Sequence, residues 1–300
     1  MRGEARAGGV PTTRAPARVH TAPRGRRACA VWGVLNVTPD SFSDGGRYLS
    51  VDDAVAHAER MLREGADTID VGGESSRPPG RTYGEGFAEV SARDEIARVV
   101  PVIERVRAEL GCAVSVDTVK AEVAAAALAA GASVVNEVSG APSDALLDAV
   151  AEHGAGLVLM HSRDRGRVDA STTAYEDVVE DVRRELLREV ERAAARGVAR
   201  DAIWIDPGIG FAKTAAQSAR LLGHLDAFVQ TGYPVLVGAS RKSFIAATMA
   251  EAGAEAPGPD ARLGGSLAAV VAAALAGCAA VRVHDVYESL QAARVAEAMR

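Results

Sequence analysis

Two basic side chains near the end of the sequence, Arg282 and His284, have the spacing needed to bind one anion. They are two residues apart, and on a β-strand side chains at that separation point to the same face. A guanidinium and an imidazole on one face can both donate hydrogen bonds to a phosphate and stabilise the charge that accumulates on a leaving group. A structural histidine with its own hydrogen bond is the alternative for His284.

Polar or polarisable side chains also follow the other apolar runs of the chain. In chain order they are Asn36, Asp70 with Glu74, Asp117, Asn136, Met160 with His161, Asp206, Ser240 with Arg241 and Lys242, and Arg282 with His284 and Asp285. Each one alone could be a helix cap or a solvated loop residue. Their recurrence after successive runs predicts that they converge on one functional face.

The apolar runs predict eight buried strands. They lack period-two alternation, which is typical of strands covered on both faces, and they span residues 31–35, 68–71, 113–116, 133–136, 157–160, 203–205, 235–237 and 280–283. Glycines suited to helix C-caps precede six of them, namely Gly65, Gly131, Gly154, Gly197, Gly232 and Gly277. Amphipathic segments such as 52–63 and 175–196 predict helices between the strands.

Eight strands that alternate with helices predict an α/β fold, a single-domain (β/α)8 TIM barrel over residues 28–300. A doubly wound open sheet remains an alternative, because strand count alone does not establish closure. In a barrel the loops at the carboxyl ends of the strands carry the chemistry, and the polar residues described above lie at those ends.

Composition excludes several classes of protein. The chain has 300 residues and 31.0 kDa, with 48% hydrophobic and only 4% aromatic residues, and it contains no run apolar enough to span a membrane. The net charge is −6; residues 1–27 carry +6, with seven arginines and one glutamate, so residues 28–300 carry −12. An acidic body argues against nucleic acid as a partner. Residues 1–27 are expected to form a disordered basic extension, with a transit peptide as the alternative.

The cysteines and the absence of an export signal indicate a cytoplasmic protein. Cys29, Cys112 and Cys278 are odd in number and far apart, which suits reduced thiols. Residues 1–27 have no apolar core of the kind that secretory signals contain.

Several segments together resemble the dihydropteroate synthases. The first is GVLNVTPDSFSDGG at residues 33–46, and the second is DVGGESSRPPG at residues 70–80. Further matches follow in the order that the family has: SVDTVK at 115–120, GASVVNEVSG at 131–140, LMHSR at 159–163, DPGIGFAKT at 206–214, VGASRKS at 237–243 and RVHDV at 282–286. No single short pattern carries this resemblance, which extends from Gly33 to Val286.

The resemblance implies a pterin-binding TIM barrel. Such an enzyme joins 4-aminobenzoate to a dihydropterin diphosphate, releases diphosphate and uses Mg²⁺ on the phosphates. It also implies a homodimer and the following pterin-binding residues: Asp117, Asn136, Met160, Asp206, Gly238 and Lys242. Acidic and amide groups suit the donors and acceptors on the edge of a pterin, and Met160 would pack on its ring, although it could equally be core filler.

The same resemblance assigns the remaining site residues. The diphosphate would be bound by Asn36, Ser76, Arg282 and His284, with Asn36 also a ligand of the metal. The aminobenzoate would be bound by Ser76, Arg77, Pro78, Phe211 and Ser243, with backbone N–H groups near Ser243 facing its carboxylate. The catalytic residues would be Asn36, Lys242, Arg282 and His284.

In the implied mechanism the pterin methylene becomes cation-like before the amine attacks. An enzyme nucleophile is then unnecessary, which agrees with the absence of a convincing Cys/His or Ser/His/Asp arrangement. Lysine use is an independent indication that the motifs are functional. The chain has only Lys120, Lys213 and Lys242 against 31 arginines, and all three lysines fall within the motifs. Lys242 is expected to be functional, whereas Lys120 could be an ordinary helical residue.

The sequence departs from the family at a few positions. Ser76 stands where Thr is usual, Pro78 and Pro79 replace one proline, and Glu137 replaces an Asp beside Asn136. Two alternative functions therefore stay open. One is a catalytically weak or non-catalytic paralogue. The other is a methyltetrahydrofolate-dependent methyltransferase on the same barrel. The loop 38–46, Lys242 and the Arg282–His284 pair argue against it, because that enzyme holds no diphosphate.

Overall fold

The structure, a computed structural model, describes residues 29–37, 50–74, 90–164 and 167–300. The expected basic extension 1–27 and three predicted ligand-binding residues, Ser76, Arg77 and Pro78, lie outside these ranges.

The described residues contain eight strands at the positions predicted from the apolar runs. Their bounds are β1 Ala30–Asn36, β2 Thr68–Gly72, β3 Ala113–Asp117, β4 Val134–Glu137, β5 Gly156–Met160, β6 Ile203–Asp206, β7 Leu236–Val237 and β8 Ala280–Val283. Nearly all of their side chains are buried, which explains why the runs show no polar alternation.

Helices connect the strands and cover the outside of the sheet. They are α1 Val51–Glu64, α2 Ala92–Arg105, α3 Ala121–Ala129, α4 Asp144–His153, α5 Val178–Ala195, α6 Ala215–Leu222, α7 Asp226–Val229, α8 Ser243–Glu251, α9 Leu263–Ala276 and α10 Val286–Ala298. A π-helical turn, Val106–Leu110, extends α2, and 3-10 turns occupy Arg200–Ala202 and Pro259–Ala261. No helix among the described residues is both long and apolar enough to cross a membrane.

The strands close into a barrel. They are parallel and follow the order β6-β5-β4-β3-β2-β1-β8-β7. The two ends of this order meet through a parallel bridge between Ile205 and Val235, and the Ile205 N–H donates to the Pro234 carbonyl at 3.0 Å. The (β/α)8 prediction is confirmed, and the open doubly wound sheet is excluded.

The lower part of the barrel interior is filled with apolar side chains, so the polar residues can gather only at the upper end. This inner cluster consists of Trp32, Val134, Val158, Leu236 and Ala280. The Trp32 ring lies 5.5 Å from that of Trp204 across the barrel. The interior is therefore a packed floor beneath a polar mouth, as in other TIM barrels.

One predicted helix begins later than expected. The segment 175–196 was expected to be helical, but α5 begins at Val178, because Asp177 caps it by accepting hydrogen bonds from the N–H groups of Val179 and Glu180. Tyr175 instead packs under the Arg163 guanidinium, 3.9 Å from its ring centre. Its hydroxyl donates to the Ala212 carbonyl at 3.1 Å.

Candidate active site

The strand register brings the predicted polar residues to one level of the barrel. Asn36 on β1 is paired with Gly72 on β2, and Gly72 is paired with Asp117 on β3. Asp117 is then paired with Asn136 on β4. On the opposite side Met160 on β5 is paired with Asp206 on β6. These positions are the carboxyl ends of the strands, so the predicted convergence is present.

Arg282 lies at the centre of this level and bridges two carboxylates. Its Nη2 donates to Asp117 Oδ2 at 2.7 Å, and its Nε donates to Asp70 Oδ2. The amide of Asn136 donates to the same oxygen of Asp70 at 3.3 Å. Burial disfavours the charged guanidinium, but the two aspartates outweigh burial and raise the pKa of Arg282. The guanidinium is therefore a permanent cation inside the barrel.

The environment of Asp117 brings the pKa of its carboxyl close to neutral pH. Burial raises the pKa of this carboxyl to about 7, although the neighbouring Arg282 favours the ionised form, and Asp70 raises the pKa further by repulsion. A ligand that donates hydrogen bonds to Asp117 would favour the carboxylate. The residue therefore suits recognition of N–H groups on a buried heterocycle.

Asp206 is the second buried carboxyl of the mouth and is held by a tight turn. Its Oδ1 accepts from the N–H of Gly208 at 2.7 Å. Burial raises the pKa of Asp206, whereas the charges of Lys242, Lys213 and Arg282 and this hydrogen bond oppose the shift. A methyl group built on Gly238 would lie 3.6 Å from Asp206 Oδ2, so Gly238 leaves space beside that oxygen.

Lys242 and Phe211 contact each other at the turn after β6. The Lys242 ammonium donates to the Ile209 carbonyl at 2.6 Å and lies 4.4 Å from the centre of the Phe211 ring. Burial lowers the pKa of Lys242 to about 8, with Asp206 opposing. Ser243 is the first residue of α8, so it lies at a helix N-terminus, where N–H groups can face an anion.

The predicted Arg282–His284 pair lies at the end of β8, but the two side chains have different partners. Whereas Arg282 turns inward to the aspartates, His284 Nδ1 lies 3.1 Å from the hydroxyl of Ser240. The His284 N–H also donates to that hydroxyl at 3.2 Å. Although Arg282 binds both aspartates, its side chain is still 18% exposed.

Asn36 is the predicted ligand of the metal, and its chemistry fits Mg²⁺. Its side-chain oxygen lies at the mouth, next to the backbone of Gly72. A methyl group built on Gly72 would be 3.4 Å from Asn36 Oδ1. Among the described residues there is no cluster of three His, Cys, Asp or Glu side chains that could hold a metal. Mg²⁺ commonly combines one protein oxygen with waters and substrate phosphates, so a single amide oxygen suits a metal carried by the diphosphate.

Glu137 points away from the pterin level. It is fully buried, and one of its oxygens accepts from the Ser139 N–H at 2.9 Å. The side chain lines a cavity of about 100 Å³ together with Glu185 and Glu189 of α5. Burial raises the pKa of Glu137 to about 7. The extra methylene of Glu137, relative to Asp, therefore extends the side chain toward α5 and not into the mouth of the barrel.

Two features of the site were not assigned from the sequence. The sequence places Asp70 at a predicted strand end without indicating a role, although it accepts from both Arg282 and Asn136. Its position within a fully buried strand is the signal that could have shown this. The contact between His161 and Lys213, at 2.9 Å, joins residues 52 positions apart, and no local pattern predicts it.

Described from its geometry alone, the molecule is a TIM-barrel enzyme with buried acids and cations at its mouth, suited to a polar heterocycle and an anion. Comparison with known proteins agrees. Residues 32–284 match the family model described as pterin binding enzyme. The dihydropteroate synthase of Bacillus subtilis is 42% identical over 94% of this chain and 93% of its own length.

Solved structures give the same result. The Xanthomonas albilineans dihydropteroate synthase with 4-aminobenzoic acid superposes with a TM-score of 0.80 at 41% identity, covering 91% of this chain and 93% of that one. The same enzyme in complex with 7,8-dihydropteroate gives 0.79 at 39% identity, covering 92% and 95%. The chain belongs to the dihydropteroate synthase family of pterin-binding enzymes, which are transferases.

Proposed function

We propose that this chain condenses a 7,8-dihydropterin-6-ylmethyl diphosphate with 4-aminobenzoate to give 7,8-dihydropteroate and diphosphate. The observation that carries the proposal is the convergence of two buried carboxyls and an amide, Asp117, Asp206 and Asn136, with the cations Arg282 and Lys242 at one end of the barrel. Relatives at about 42% identity carry this activity in their name, and they support the assignment of the substrates.

The inner part of the site suits the pterin. Asp206 and Asp117 would accept hydrogen bonds from the amino and ring N–H groups on the pterin edge, and Asn136 can both donate and accept. Met160 is buried beside Asp206, and its polarisable side chain suits packing against a flat ring. Gly238 would leave space for the ring next to Asp206.

The diphosphate would lie at the mouth above Arg282. His284 and Asn36 would contact it from β8 and β1, and Ser76 is a further candidate outside the described residues. Arg282 supplies charge that is already oriented by Asp70 and Asp117, so little reorganisation is needed as charge develops on the leaving group. Asn36 would hold Mg²⁺, which when bound neutralises part of the diphosphate charge.

The aminobenzoate would lie further out, where Phe211 can contact its ring. Its carboxylate would face Ser243 and the N-terminus of α8, and Arg77, Ser76 and Pro78 are candidates outside the described residues. In the reaction the bond from the methylene carbon to the diphosphate oxygen breaks, and the electron pair leaves with the diphosphate. The amine nitrogen then donates its pair to that carbon and loses a proton, so no residue forms a covalent bond.

The test is diphosphate release by the purified chain with dihydropterin diphosphate and Mg²⁺. Release that depends on 4-aminobenzoate, together with a product of the mass of dihydropteroate, would support the proposal. Arg282→Met should abolish release, whereas Arg183→Met, at a half-buried residue of α5 that pairs with Glu180, should not. Binding of the pterin without release would instead indicate a non-catalytic paralogue, and methyl transfer from methyltetrahydrofolate would indicate the other barrel enzyme.

We also infer a cytoplasmic homodimer. Three of the large apolar side chains that are exposed in the described structure lie on α9 and α10, namely Leu275, Tyr287 and Val295, and a fourth, Met299, directly follows α10. Because α9 packs against α10, these exposed apolar side chains belong to one pair of adjacent helices, which supports an interface between copies of the chain there. Light scattering should give twice the monomer mass, and Val295→Glu should reduce it to that of the monomer.

A further inference from the structure

Lys213 is an almost completely buried lysine that is outside the substrate contacts proposed above. Its side chain is 3% exposed. The terminal nitrogen lies 2.9 Å from His161 Nδ1, 2.8 Å from the Phe211 carbonyl and 3.4 Å from the His161 carbonyl. Three hydrogen-bond partners around one buried ammonium indicate a built contact, because a lysine in this position without them would be strongly unfavourable.

The partners of His161 determine the direction of these hydrogen bonds. His161 Nε2 lies 2.9 Å from Glu185 Oε2, and the Arg163 Nε donates to the same oxygen at 3.1 Å. Burial opposes ionisation of Glu185, but the bonds from His161 and Arg163 outweigh burial and lower its pKa. Glu185 is therefore a carboxylate that can only accept, so His161 must carry its proton on Nε2.

The resulting neutral imidazole leaves Nδ1 as an acceptor. Burial, and then the Lys213 charge, lower the pKa of His161 to about 4, which agrees with a neutral ring. Lys213 is thus surrounded by three acceptors and no donor, and only its ammonium form satisfies all of them. Burial lowers the pKa of Lys213, and the negative charge of Asp206 opposes this shift.

Lys213 also ends the segment that carries several pieces of the site. Within residues 206–213, Asp206 is the pterin acceptor, Ile209 provides the carbonyl that holds Lys242, and Phe211 contacts the Lys242 ammonium. The backbone between them is unusual, since Gly208 has φ +68° and Ala212, next to Lys213, has φ +51°. A residue other than glycine in that region is strained, so the segment needs external contacts to keep its shape.

The segment lies directly against the backbone of His161, the residue that follows β5. A methyl group built on Gly208 would lie 1.9 Å from the His161 carbonyl oxygen and 3.3 Å from Lys213 Nζ. Gly208 is also the residue whose N–H holds Asp206 Oδ1. The lysine, the histidine and the turn that orients Asp206 therefore form one contact unit.

We propose that Lys213, oriented by His161 and Glu185, is a positioning residue that holds the segment 206–213 in its binding shape and stabilises Asp206 as a carboxylate. The inference rests on the proposed function, because it concerns binding of the pterin. Lys213 itself would touch no substrate. Its effect reaches the pterin through the position and the charge of Asp206.

Charge gives this role a signature that a purely structural lysine would lack. Groups whose charge acts on Asp206 come from three elements: Lys213 from the segment itself, Lys242 from the N-terminus of α8 and Arg282 from β8. All three favour the carboxylate. When pH falls through the pKa of Asp206 the carboxyl is protonated and pterin binding weakens. Removal of Lys213 raises that pKa, so binding should be lost at a higher pH.

The test is the binding of dihydropterin diphosphate with Mg²⁺ to the Lys213→Met chain, measured by calorimetry between pH 5 and 8. Methionine keeps the length of the side chain and removes the charge. The expected result is an affinity at pH 7.5 that is weaker by roughly tenfold or more, with the acidic loss of binding displaced to higher pH. Arg192→Met, a control for loss of a cation that makes structural contacts to Asp144 and Glu189, should bind as the unaltered chain does.

If Lys213→Met binds the pterin more weakly but loses binding at the same acidic pH as the unaltered chain, Lys213 does not stabilise the charge of Asp206. If Lys213→Met binds the pterin as tightly as the unaltered chain, the whole inference is wrong. An unaltered chain that does not bind the pterin would overturn the proposed function and this inference with it. A second measurement uses the unaltered chain, in case Lys213→Met does not fold. Nitrogen NMR of labelled histidine should show His161 neutral with the proton on Nε2 from pH 5 to 8, and protonation on Nδ1 would contradict the proposal.

Discussion

At the scale of single residues, the mouth of the barrel is governed by the balance of buried charges. The three aspartates Asp70, Asp117 and Asp206 face the cations Arg282 and Lys242, and burial raises the pKa of both Asp117 and Asp206. Cations within the site are what keep such groups ionised. Among the described residues, the side chain of Asp206 accepts a hydrogen bond at Oδ1 alone, from the Gly208 N–H. Its ability to accept from a ligand should therefore depend strongly on its charge.

Asp206→Asn should weaken binding of the dihydropterin diphosphate. The substitution replaces a charged acceptor with a neutral amide whose N–H₂ faces ligand donors, and loss of a charged hydrogen bond costs about 1.5–3 kcal/mol, or roughly a factor of 10 to 150. Calorimetry on the two chains measures the difference. Asp201→Asn, at an exposed residue of the 3-10 turn before β6, is the matched control, and equal affinity in both variants would contradict the assignment.

Lys242 should produce a basic limb in the pH profile of kcat/KM. Burial lowers its pKa to about 8, so the ammonium is present below that pH and is lost as pH rises through it, together with its attraction for substrate anions. Lys242→Arg keeps the charge at all accessible pH values and should move the limb to higher pH, even if activity falls. Lys120→Arg is the control: burial is outweighed by Glu74 and Glu95, and the pKa of Lys120 is raised. A limb that persists in Lys242→Arg would contradict this role.

At the scale of elements, the turn after β6 carries more of the site than any other connection. It orients Asp206, supplies the carbonyl for Lys242 and presents Phe211, all within six residues of sequence. It achieves this with a left-handed glycine at a point where two backbones nearly touch. Gly208 therefore has two separate reasons to be glycine, its φ value and the close approach of the His161 carbonyl.

Gly208→Ala and Gly232→Ala together separate these two reasons. Both glycines are left-handed, with φ +68° and +84°, so alanine costs about 1–2 kcal/mol in each. Only at Gly208 would the new methyl meet another atom, 1.9 Å from the His161 carbonyl oxygen, whereas nothing lies within 4 Å at Gly232. In denaturant unfolding, the loss of stability caused by Gly208→Ala should exceed the loss caused by Gly232→Ala by at least about 2 kcal/mol. Gly208→Ala should also weaken pterin binding. Similar losses for both variants would contradict the role of close approach.

Sequence patterns predicted the elements well and the contacts between them poorly. The strands were predicted to within about one or two residues because strands buried on both faces leave unbroken apolar runs, and the C-cap position of Gly65 was correct because φ +104° there requires glycine. The start of α5 was wrong because Tyr175 continues the apolar spacing while bonding to Ala212. Strand alternation does predict that Glu137 faces away from its neighbour Asn136. The side chains that Glu137 meets there, and the contact of Lys213 with His161, depend on how separate elements pack together, and local spacing does not encode that.

At the scale of the whole molecule, barrel closure makes the first described residues part of the body. Cys29 is buried and its N–H donates to Glu297 of α10. The Ala30 N–H donates to the Ala279 carbonyl at 2.9 Å, and the Val31 N–H donates to Asp67 Oδ2 at 2.8 Å. The first strand thus joins the last strand and the last helix, and the structural boundary of the barrel should lie within a few residues of Cys29.

Two truncated chains should place this boundary. A chain that begins at Arg27 should unfold at the same temperature and release diphosphate at the same rate, because residues 1–26 are rich in Arg, Gly and Pro and contain too little apolar surface to pack. A chain that begins at Trp32 loses the buried side chains of Cys29 and Val31 and the hydrogen bonds of Ala30 and Val31. Burial of one valine contributes about 1.5–3 kcal/mol and each hydrogen bond about 1 kcal/mol, so stability should fall by at least about 3 kcal/mol. Calorimetric unfolding of the two chains measures the difference. A loss of stability already present in the chain that begins at Arg27 would mean that the preceding residues belong to the fold.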